Sequence, residues 1–288
     1  MTKDKSILLI KALSKKLGNK YILKDIDLKV NSGEVIGITG KNGSGKTTLL
    51  RIIIGLMYPS KGEVSIEGRK LTPGFLGNLP TNVSALIENP NFLPGFTGFQ
   101  NLKMLASIRN KINDEDIKKT IELVGLEPSN KKHVSKYSLG MKQRLGIAQA
   151  IMESPKMVLF DEPTNALDDE GVKIFSQIVS NMKKNGTGFI IVSHKKEDID
   201  TLCDRVYRIE SGQLNVVKEH KDAKWKIILK DLNNLENLLK ILPGASVINR
   251  IGGYPAVVCK KDWITSDKAV QFLDKNNIDI IRVEENKQ

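Results

Sequence analysis

The stretch GKNGSGKTT at residues 40–48 decides the fold, because it reads G-x-x-x-x-G-K-T from Gly40 to Thr47. This pattern is typical of a phosphate-binding loop, in which glycines let backbone N–H groups close on phosphate oxygens. Before it, EVIGIT at 34–39 predicts a short apolar strand, and after it KTTLLRIIIGL at 46–56 has apolar residues at helical spacing. The pattern therefore stands in the strand, loop and helix order that a phosphate site requires.

The residues of this loop have separate expected tasks. The ammonium group of Lys46 reaches the terminal phosphates, the hydroxyl of Thr47 is offered to Mg²⁺, and the helix N-terminus adds its partial positive charge. The predicted cofactor-binding residues of the loop are Gly40, Lys41, Asn42, Gly43, Ser44, Gly45, Lys46, Thr47 and Thr48. The alternative is a chance match, which residue frequencies allow roughly once in a hundred chains of this length.

A second predicted strand ends in two carboxylates. The segment KMVLFDEP at 156–163 has four apolar residues followed by Asp161 and Glu162. This is typical of a strand that is buried on both faces and ends at the carboxyl edge of a parallel sheet, where ligands bind. We expect Asp161 to hold Mg²⁺ through water and Glu162 to polarise the attacking water. The structural alternative is a strand-end pair that caps the next segment.

The segment GFIIVSH at 188–194 predicts another buried strand, which ends in one of only three histidines in the chain. A single histidine is usually structural. However, His194 stands at the carboxyl end of a strand that follows the strand of Asp161 and Glu162 along the chain, and this position favours a contact with phosphate. Our hypothesis is that His194 senses the γ-phosphate.

The amino-acid composition limits the classes of protein to which the chain can belong. A chain of 288 residues with 40% hydrophobic and 27% charged residues is typical of a folded protein with one large domain, or one large domain and a small companion. Cys203 and Cys259 lie far apart without C-x-x-C spacing, so neither a disulfide framework nor a zinc site is indicated. A reducing cytoplasm fits this cysteine usage best.

The sequence gives no signal for membrane insertion or secretion. Only four consecutive apolar residues precede Lys11, and no segment approaches the about 18 apolar residues of a spanning helix. We expect the chain neither to span a membrane nor to be secreted. The formal charge of +12 is spread out, with 33 basic against 24 acidic residues in 1–220 and 12 against 9 in 221–288. Solvated faces explain such a spread, and no nucleic-acid partner is expected.

Further motifs identify a family. The segment YSLGMKQRLGIAQAIM at 137–152 begins with polar residues and continues as a predicted helix. Five motifs occur together in the chain: the phosphate loop, this segment, the strand that ends in Asp161 and Glu162, TNALD at 164–168 and VSH at 192–194. With them the sequence resembles the nucleotide-binding subunit of an ATP-binding cassette (ABC) transporter over residues 5–217.

This resemblance implies a head-to-tail dimer, in which each ATP lies between the phosphate loop of one subunit and the signature segment of the other. Ser138 and Gly140 match that signature and would place a hydroxyl group and backbone amides against the γ-phosphate. Residues 165–168 would communicate across the dimer. The resemblance also implies ATP and Mg²⁺ as cofactors, a second ABC ATPase subunit, a separately encoded transmembrane permease, and a place on the cytoplasmic face of the cell membrane.

The chain departs from the usual family pattern at the signature and at the adenine site. Leu139 and Met141 stand where the signature usually has glycine and glutamine. Leu17 occupies the position, 29 residues before Lys46, where an aromatic residue usually stacks on adenine. Tyr21 lies four residues later and is the expected substitute, because stacking needs only a π-face of suitable reach.

The third departure is Glu88, which stands where the family usually has a glutamine that couples the nucleotide to the permease. A carboxylate can accept hydrogen bonds from metal-bound or attacking water. We therefore expect Glu88 to approach Mg²⁺ or the water, and the following loop, with Asn89, Phe92 and Phe96, to dock on the permease. A plain surface loop is the alternative. The predicted catalytic residues are Glu162, His194, Lys46 and Glu88, and the predicted metal ligands are Thr47, Asp161 and Glu88.

The I-E-N-P run, the S-L-G-M-K-Q-R-L signature and a C-terminal extension resemble the branch of bacitracin-resistance and lantibiotic-immunity ATPases. That branch implies export of, or immunity to, an antimicrobial or other peptide. The competing hypothesis is a soluble ABC ATPase that acts on nucleic acid or ribosomes. Such proteins usually carry two cassettes or a long coiled coil before the signature, whereas only 50 positions separate Glu88 from Ser138 here, without long heptads. A non-hydrolysing scaffold is the third possibility.

The order of predicted elements gives an α/β fold. Residues 1–217 are expected to form a mainly parallel sheet with an antiparallel N-terminal layer and a helical subdomain at about 98–153. Residues 224–288 are expected to form a small α+β domain in β-α-β-β-α-β order, a ferredoxin-like arrangement. Its predicted strands lie at 224–230, 245–250, 255–260 and 278–284, and its predicted helices at 232–241 and 265–276.

Overall fold

The chain forms two compact units, Met1–Glu219 and His220–Gln288, in a computed structural model. The structure describes residues 6–72, 80–88, 90–219, 224–230, 246–251, 254–260 and 278–286, together with Leu235, Leu238, Leu273 and Lys275. Each unit is described by itself below.

The first unit contains ten strands and six α-helices among its described residues. The strands are β1 (Ser6–Leu17), β2 (Lys20–Asn31), β3 (Val35–Thr39), β4 (Lys61–Ile66), β5 (Arg69–Lys70), β6 (Val83–Leu86), β7 (Met157–Asp161), β8 (Gly188–Val192), β9 (Arg205–Glu210) and β10 (Gln213–Glu219). The helices are α1 (Lys46–Ile53), α2 (Gly98–Arg109), α3 (Asp114–Leu123), α4 (Leu139–Ile151), α5 (Asp169–Lys184) and α6 (Lys196–Leu202), with a 3₁₀ turn at Val134–Lys136.

The central sheet has the strand order β10-β9-β3-β8-β7-β6. Its strands pair in parallel except for β10, which pairs antiparallel with β9. The predicted parallel sheet is therefore confirmed. Since β3, β8 and β7 are neighbours, the segments that leave their carboxyl ends lie side by side at one edge of the sheet.

The two faces of this sheet bury two separate hydrophobic clusters, as the period of two along a strand requires. In β7, Val158 and Phe160 belong to one cluster, and Met157 and Leu159 belong to the other. The first cluster contains buried residues of α2 to α6, and the second contains α1 and the N-terminal strands. Burial on both faces holds the ends of the central strands in fixed positions.

A second, antiparallel sheet with the order β2-β1-β4-β5 covers the face of the second cluster. Its inward residues alternate with exposed ones along β2, where Ile26, Leu28 and Val30 are buried between exposed residues. This sheet confirms the predicted antiparallel N-terminal layer. It places the turn between β1 and β2 beside the phosphate loop, because Ile22 and Leu23 of β2 lie against Gly45.

The predicted helical insert is present as α2, α3 and α4. Helix α3 begins with a capping box, since the Asn113 side chain accepts from the N–H groups of Glu115 and Asp116, and Asp116 accepts from the N–H group of Asn113. Helix α2 begins with a similar box formed by Thr97 and Gln100. Helix α5 is capped by Asp168, whose side chain accepts from the N–H group of Gly171.

The second unit contains β11 (Lys224–Leu229), β12 (Ser246–Ile251), β13 (Tyr254–Lys260) and β14 (Ile280–Asn286). They form an antiparallel sheet of order β12-β13-β11-β14, in which the first and third strands of the unit are central, as in a β-α-β-β-α-β arrangement. Its core includes Leu238 and Leu273. The predicted helices at 232–241 and 265–276 lie outside the described residues except for the four single residues, which are helical.

Within the described part of the chain, none of the helices combines the length and the apolar character that crossing a bilayer demands.

Candidate functional site

The loop between β3 and α1 turns on glycines with backbone angles that other residues rarely adopt. Gly45, the residue before α1, has a φ of 107°, and a Cβ atom there would lie 2.9 Å from a methyl carbon of Leu23. At Gly40 φ is 150°, and a Cβ atom would lie 2.7 Å from the carbonyl oxygen of Ile209. Both positions therefore need glycine for the loop to pack between β2 and β9.

Lys46 begins α1 and is only 9% exposed. Its ammonium group donates to the carbonyl oxygens of Gly40 at 2.7 Å and Lys41 at 3.1 Å. An ammonium group has three N–H donors, so these two bonds leave one for a further acceptor. The loop thus holds a positive charge directly over its own turn, which is where a phosphate group would need it.

Thr47 and Asp161 join the phosphate loop to the end of β7. The Thr47 hydroxyl donates to Oδ2 of Asp161 at 2.7 Å, although 114 positions separate the two residues in sequence. Burial raises the pKa of the Asp161 carboxyl, and the charges of Glu162 and Glu88 act in the same direction, while the Thr47 hydrogen bond and Lys46 lower it. The ionised form of this carboxylate therefore has too little positive charge near it, and a bound divalent cation would stabilise that form.

The donor set suits magnesium bound together with a phosphate ligand. Among the described residues, no group of three or more His, Cys, Asp or Glu side chains is arranged to hold a metal by itself. Mg²⁺ usually takes one or two carboxylates and completes its shell with water and substrate phosphates. The Thr47 hydroxyl and the Asp161 carboxylate, 2.7 Å apart, are oxygen ligands of the required kind.

Glu162 and His194 lie in contact at the ends of β7 and β8. The Nδ1 atom of His194 is 2.9 Å from Oε2 of Glu162, and the N–H group of Glu162 donates to the carbonyl oxygen of Val192 at 2.9 Å. Glu162 has a φ of 51°, which is rare for a residue with a side chain. Such backbone strain is common at functional sites. The two predicted residues are therefore brought together, in the geometry of a carboxylate that orients an imidazole.

Glu88 lies at the end of β6 and is paired with a residue that sequence reasoning did not consider. Its Oε1 atom is 2.5 Å from Nη2 of Arg51, on α1, and its φ is 63°. Both side chains are partly open to solvent. In the loop that follows, Phe96 is exposed, whereas Phe92 packs against the hydrophobic core, and Asn89 lies outside the described residues.

Two cavities flank the phosphate loop, one of about 650 Å³ and one of about 960 Å³. We name them the phosphate cleft and the outer cavity. The predicted residues that line the phosphate cleft are Asn42, Gly43, Gly45, Lys46, Thr47, Thr48, Glu88, Asp161 and Glu162. The predicted residues that line the outer cavity are Tyr21, Gly40, Lys41, Asn42, Gly43, Ser44 and His194.

The two candidates for adenine contact lie in different cavities. Leu17, at the end of β1, lines the phosphate cleft together with Lys46. Tyr21 of β2 lines the outer cavity, and its ring lies 5.8 Å from the ammonium nitrogen of Lys16. The strand pairing explains the separation, because Leu17 pairs with Lys20 and Lys16 pairs with Tyr21. Stacking of Tyr21 on adenine stays a prediction.

The signature residues lie at the N-terminus of α4. Ser138 is the N-cap, and its Oγ atom accepts from the N–H group of Met141 at 3.2 Å. At Gly140 a Cβ atom would lie 2.9 Å from the carbonyl oxygen of Ala166, so this glycine allows α4 to approach the segment at 165–168. Ser138 and Gly140 are not among the residues that line the phosphate cleft of their own chain, whereas Leu139 is.

Sequence reasoning missed the residues that hold the segment after β7. Gln143 of α4 is buried, and its Nε2 atom donates to the carbonyl oxygen of Pro163 at 2.8 Å. Arg144 donates to Oδ1 of Asp168 at 2.7 Å and to the carbonyl oxygen of Val124. A glutamine inside an otherwise apolar helix face was the available signal for Gln143. These bonds connect the signature helix to the segment that follows Glu162.

The comparisons with known proteins agree on one family. The family model described as ABC transporter matches residues 23–165. An uncharacterized ABC transporter ATP-binding protein of Bacillus subtilis, YdbJ, is 45% identical over 248 residues, which cover 86% of this chain and 78% of the relative. The bacitracin transport ATP-binding protein BcrA of Enterococcus faecalis is 36% identical over 73% of this chain and 69% of its own. The lantibiotic transport ATP-binding protein SrtF of Streptococcus pyogenes is 32% identical over 76% and 93%.

Solved structures agree on the fold. A structure described as the ATP-binding subunit of an ABC transporter has a TM-score of 0.66 and 26% identity, over 72% of this chain and 88% of that chain. The ATP-binding cassette MJ0796, in a dimeric post-hydrolysis state bound to ADP and Pi, has a TM-score of 0.65 and 24% identity, over 74% of this chain and 99% of that chain.

Proposed function

The chain belongs to the ABC transporter family as its ATP-binding and ATP-hydrolysing subunit, and we propose that it drives a separate permease that exports an antimicrobial or related peptide. One observation carries the catalytic part of the proposal. Lys46, Thr47, Asp161 and Glu162 come from two distant segments and line one cleft at the carboxyl edge of the sheet. In parallel α/β sheets that edge is where ligands bind.

The cleft fits a nucleotide triphosphate with Mg²⁺. Two glycines whose Cβ atoms would collide with neighbouring strands keep the turn small, and the ammonium group of Lys46 is fixed above it. Residues 40–48 would hold the phosphates through backbone N–H groups, and Thr47 and Asp161 would hold the metal. A bound Mg²⁺ neutralises charge on the phosphate oxygens.

Glu162 and His194 would act on the terminal phosphate and its attacking water. The Glu162 carboxylate would accept a hydrogen bond from that water and orient it, while His194, whose Nδ1 atom lies 2.9 Å from the carboxylate, would contact the γ-phosphate. We further propose that Glu88 accepts from metal-bound water, since it lines the same cleft and its charge reaches Asp161. Tyr21 remains our proposed contact for the adenine ring.

The site is proposed to be completed by a second ABC ATPase subunit. Ser138 caps α4, and the N-terminus of that helix offers free N–H groups that suit a phosphate ligand. Because Ser138 and Gly140 do not line the cleft of their own chain, a γ-phosphate contact requires the cleft of another subunit. A head-to-tail dimer supplies this arrangement twice.

Several observations support the coupling to a peptide-exporting permease. Two relatives at 36% and 32% identity are named for bacitracin transport and lantibiotic transport. Leu93 and Phe96 in the loop after Glu88 expose apolar surface that a permease could cover. We place the subunit at the cytoplasmic face of the cell membrane, where it would meet that permease.

The proposal is tested by purifying the chain with its bound partners and by measuring the sensitivity of the host to peptides. The tagged chain is purified from mildly solubilised membranes of its own host, and the retained proteins are identified. We expect a multi-span membrane protein, MgATP-dependent phosphate release, and greater sensitivity to membrane-active peptides such as bacitracin when the gene is deleted. Retention of ribosomes or nucleic acid without a membrane protein would contradict the transport proposal. Unchanged peptide sensitivity would contradict only the substrate class.

A further inference from the structure

A buried carboxylate accepts hydrogen bonds from the two segments that carry Glu162 and His194. Asp198, on α6, is 5% exposed, and its Oδ2 atom accepts two hydroxyl hydrogen bonds. One comes from Thr164 at 2.5 Å and the other from Ser193 at 2.9 Å. Thr164 and Ser193 are fully buried. The three side chains form a closed polar cluster inside the protein, and we name it the Asp198 cluster.

The two hydroxyl donors come from the two segments that carry the reacting side chains. Thr164 is two residues beyond Glu162, and Ser193 immediately precedes His194. Lys195 adds one bond between the same segments, from Nζ to the carbonyl oxygen of Thr164 at 3.0 Å, and its N–H group donates to Oγ of Ser193 within the second segment at 3.1 Å. Asp198 is therefore the common acceptor that links the end of β7 to the end of β8.

The contact between Glu162 and His194 cannot fix these segments by itself. The side chains are 25% and 65% exposed, and a solvent-open pair of this kind contributes little to rigidity. The buried cluster is different, because each of its hydrogen bonds is shielded from water and a lost partner leaves a buried polar group unsatisfied. Glu162 also holds a strained backbone angle, which persists only when the surroundings determine it.

From this arrangement we infer that Asp198 is a positioning residue for the hydrolysis reaction, which sets the distance between Glu162 and His194 by holding both segments. The inference rests on the proposed ATPase function. Asp198 does not line either cavity that flanks the phosphate loop, so it does not touch the nucleotide and acts only through the two segments.

The main test compares Asp198→Asn with Asp198→Ala. Both hydroxyl groups use the same oxygen of Asp198, so the amide oxygen of Asn can accept both bonds. We expect Asp198→Ala to lower kcat for ATP by about 10- to 100-fold, as a small misplacement of reacting groups does, with KM within about 2-fold. Asp198→Asn should keep kcat within about 3-fold. Glu197→Gln, an exposed carboxylate beside it on α6, is the matched control and should behave as wild type.

A second readout does not depend on activity. In the nucleotide-free protein, we expect amide hydrogen exchange in peptides that cover 161–166 and 192–196 to be at least about 10-fold faster in Asp198→Ala and unchanged in Asp198→Asn. In addition, Asp198→Ala should not lower kcat further when it is combined with His194→Ala. A substitution that acts by disturbing the Glu162–His194 contact has no additional effect on kcat once that contact is absent.

Three results would overturn the inference. They are an unchanged kcat in Asp198→Ala, additive effects of Asp198→Ala and His194→Ala, or unchanged exchange in both peptides. If Asp198→Ala does not fold, Thr164→Val and Ser193→Ala each remove one donor with little change of shape, and each should lower kcat by about 3- to 10-fold. Normal kcat in both would reject the inference. Absence of ATPase activity in the wild-type protein would instead reject the proposed function.

Discussion

The proposed phosphate side and the proposed adenine side of the nucleotide site are built very differently. On the phosphate side, buried or half-buried groups from distant segments contact one another, as in the Thr47–Asp161 bond at 2.7 Å. On the adenine side, the candidates are Leu17 and Tyr21, which are 47% and 37% exposed and lie in different cavities. From this difference we expect the fold to fix the contacts with the triphosphate, whereas contacts with the base would depend on a few replaceable side chains.

The largest effect is expected on the phosphate side, from Glu162→Gln. The amide has the same shape but cannot accept the proton or orient the water as a carboxylate does, so kcat should fall by about 10²- to 10⁴-fold. ATP affinity should stay within a few-fold, because Lys46 and the loop are unchanged. Phosphate release and equilibrium nucleotide binding measure the two quantities. Glu170→Gln, an exposed carboxylate on α5, serves as control, and full activity in Glu162→Gln would contradict the assigned role.

The next largest effect is expected from Lys46→Ala, which removes the fixed ammonium group. Charge-assisted hydrogen bonds contribute about 1.5–3 kcal/mol each, so ATP affinity should fall by about 10- to 100-fold. Titration with ATP in the presence of Mg²⁺ measures it. Lys61→Ala removes an exposed ammonium group of β4 as a control. If both variants bind ATP equally well, the phosphate side does not dominate binding.

On the adenine side, smaller effects are expected. Leu17→Tyr places an aromatic face where Leu17 lines the phosphate cleft, and stacking of about 0.5–1.5 kcal/mol should raise ATP affinity by about 3- to 10-fold. Leu56→Tyr, at another exposed leucine, is the control.

Tyr21→Ala tests the sequence prediction directly, because removal of a stacking tyrosine would lower the affinity for ATP by the same factor. An unchanged affinity in Tyr21→Ala would remove Tyr21 from the site.

A weaker effect is expected where the phosphate side is most open, at Glu88. Glu88→Gln keeps the shape but removes the negative charge that we propose attracts metal-bound water, and charge interactions at such an exposed site contribute about 0.2–1 kcal/mol. The Mg²⁺ concentration for half-maximal hydrolysis should rise by about 2- to 5-fold, measured by phosphate release at saturating ATP. Arg51→Gln frees Glu88 and should not raise that concentration. Wild-type Mg²⁺ dependence and transport in Glu88→Gln would contradict the proposed role.

The smallest effect concerns stability. Because burial raises the pKa of Asp161, folding is favoured by this group at low pH, and that stability is lost as the pH rises through the folded-state pKa. Asp161→Asn should therefore raise the Tm of the nucleotide-free protein at neutral pH. Each kcal/mol gained in the free energy of unfolding should raise the Tm by about 2–4 °C, and the increase should become smaller as the pH falls. Glu122→Gln on α3 is the control. A lower Tm in Asp161→Asn at neutral pH would contradict the argument.

The parts of the site that follow from local sequence were predictable, and the parts that depend on strand register were not. The phosphate loop and the end of β7 carry their signals in consecutive residues, since glycine spacing and apolar runs need no tertiary information. The positions of Leu17 and Tyr21 depend on how β1 pairs with β2, where one step moves a side chain to the other face.

Side-chain contacts between distant elements were also beyond the sequence. Thr164, Ser193 and Asp198 are common residue types, and nothing in their spacing shows that two hydroxyl groups share one carboxylate oxygen. Arg51 could have been placed on α1, but its partner, Glu88, lies just beyond β6, far away in sequence. For the second unit, the four strands were predicted, while the helices at 232–241 and 265–276 fall mainly outside the described residues.

The strand order has a consequence for the time course of folding. Strand β8 lies between β3 and β7 in the sheet, yet it is the last of the three to be synthesised. A nascent chain that ends before residue 188 has the glycine-rich turn and the two carboxylates at and just beyond the end of β7, but it lacks the strand that lies between β3 and β7. Nucleotide capture should therefore be a late event on the ribosome and during refolding, and its rate should report closure of the sheet rather than formation of the turn.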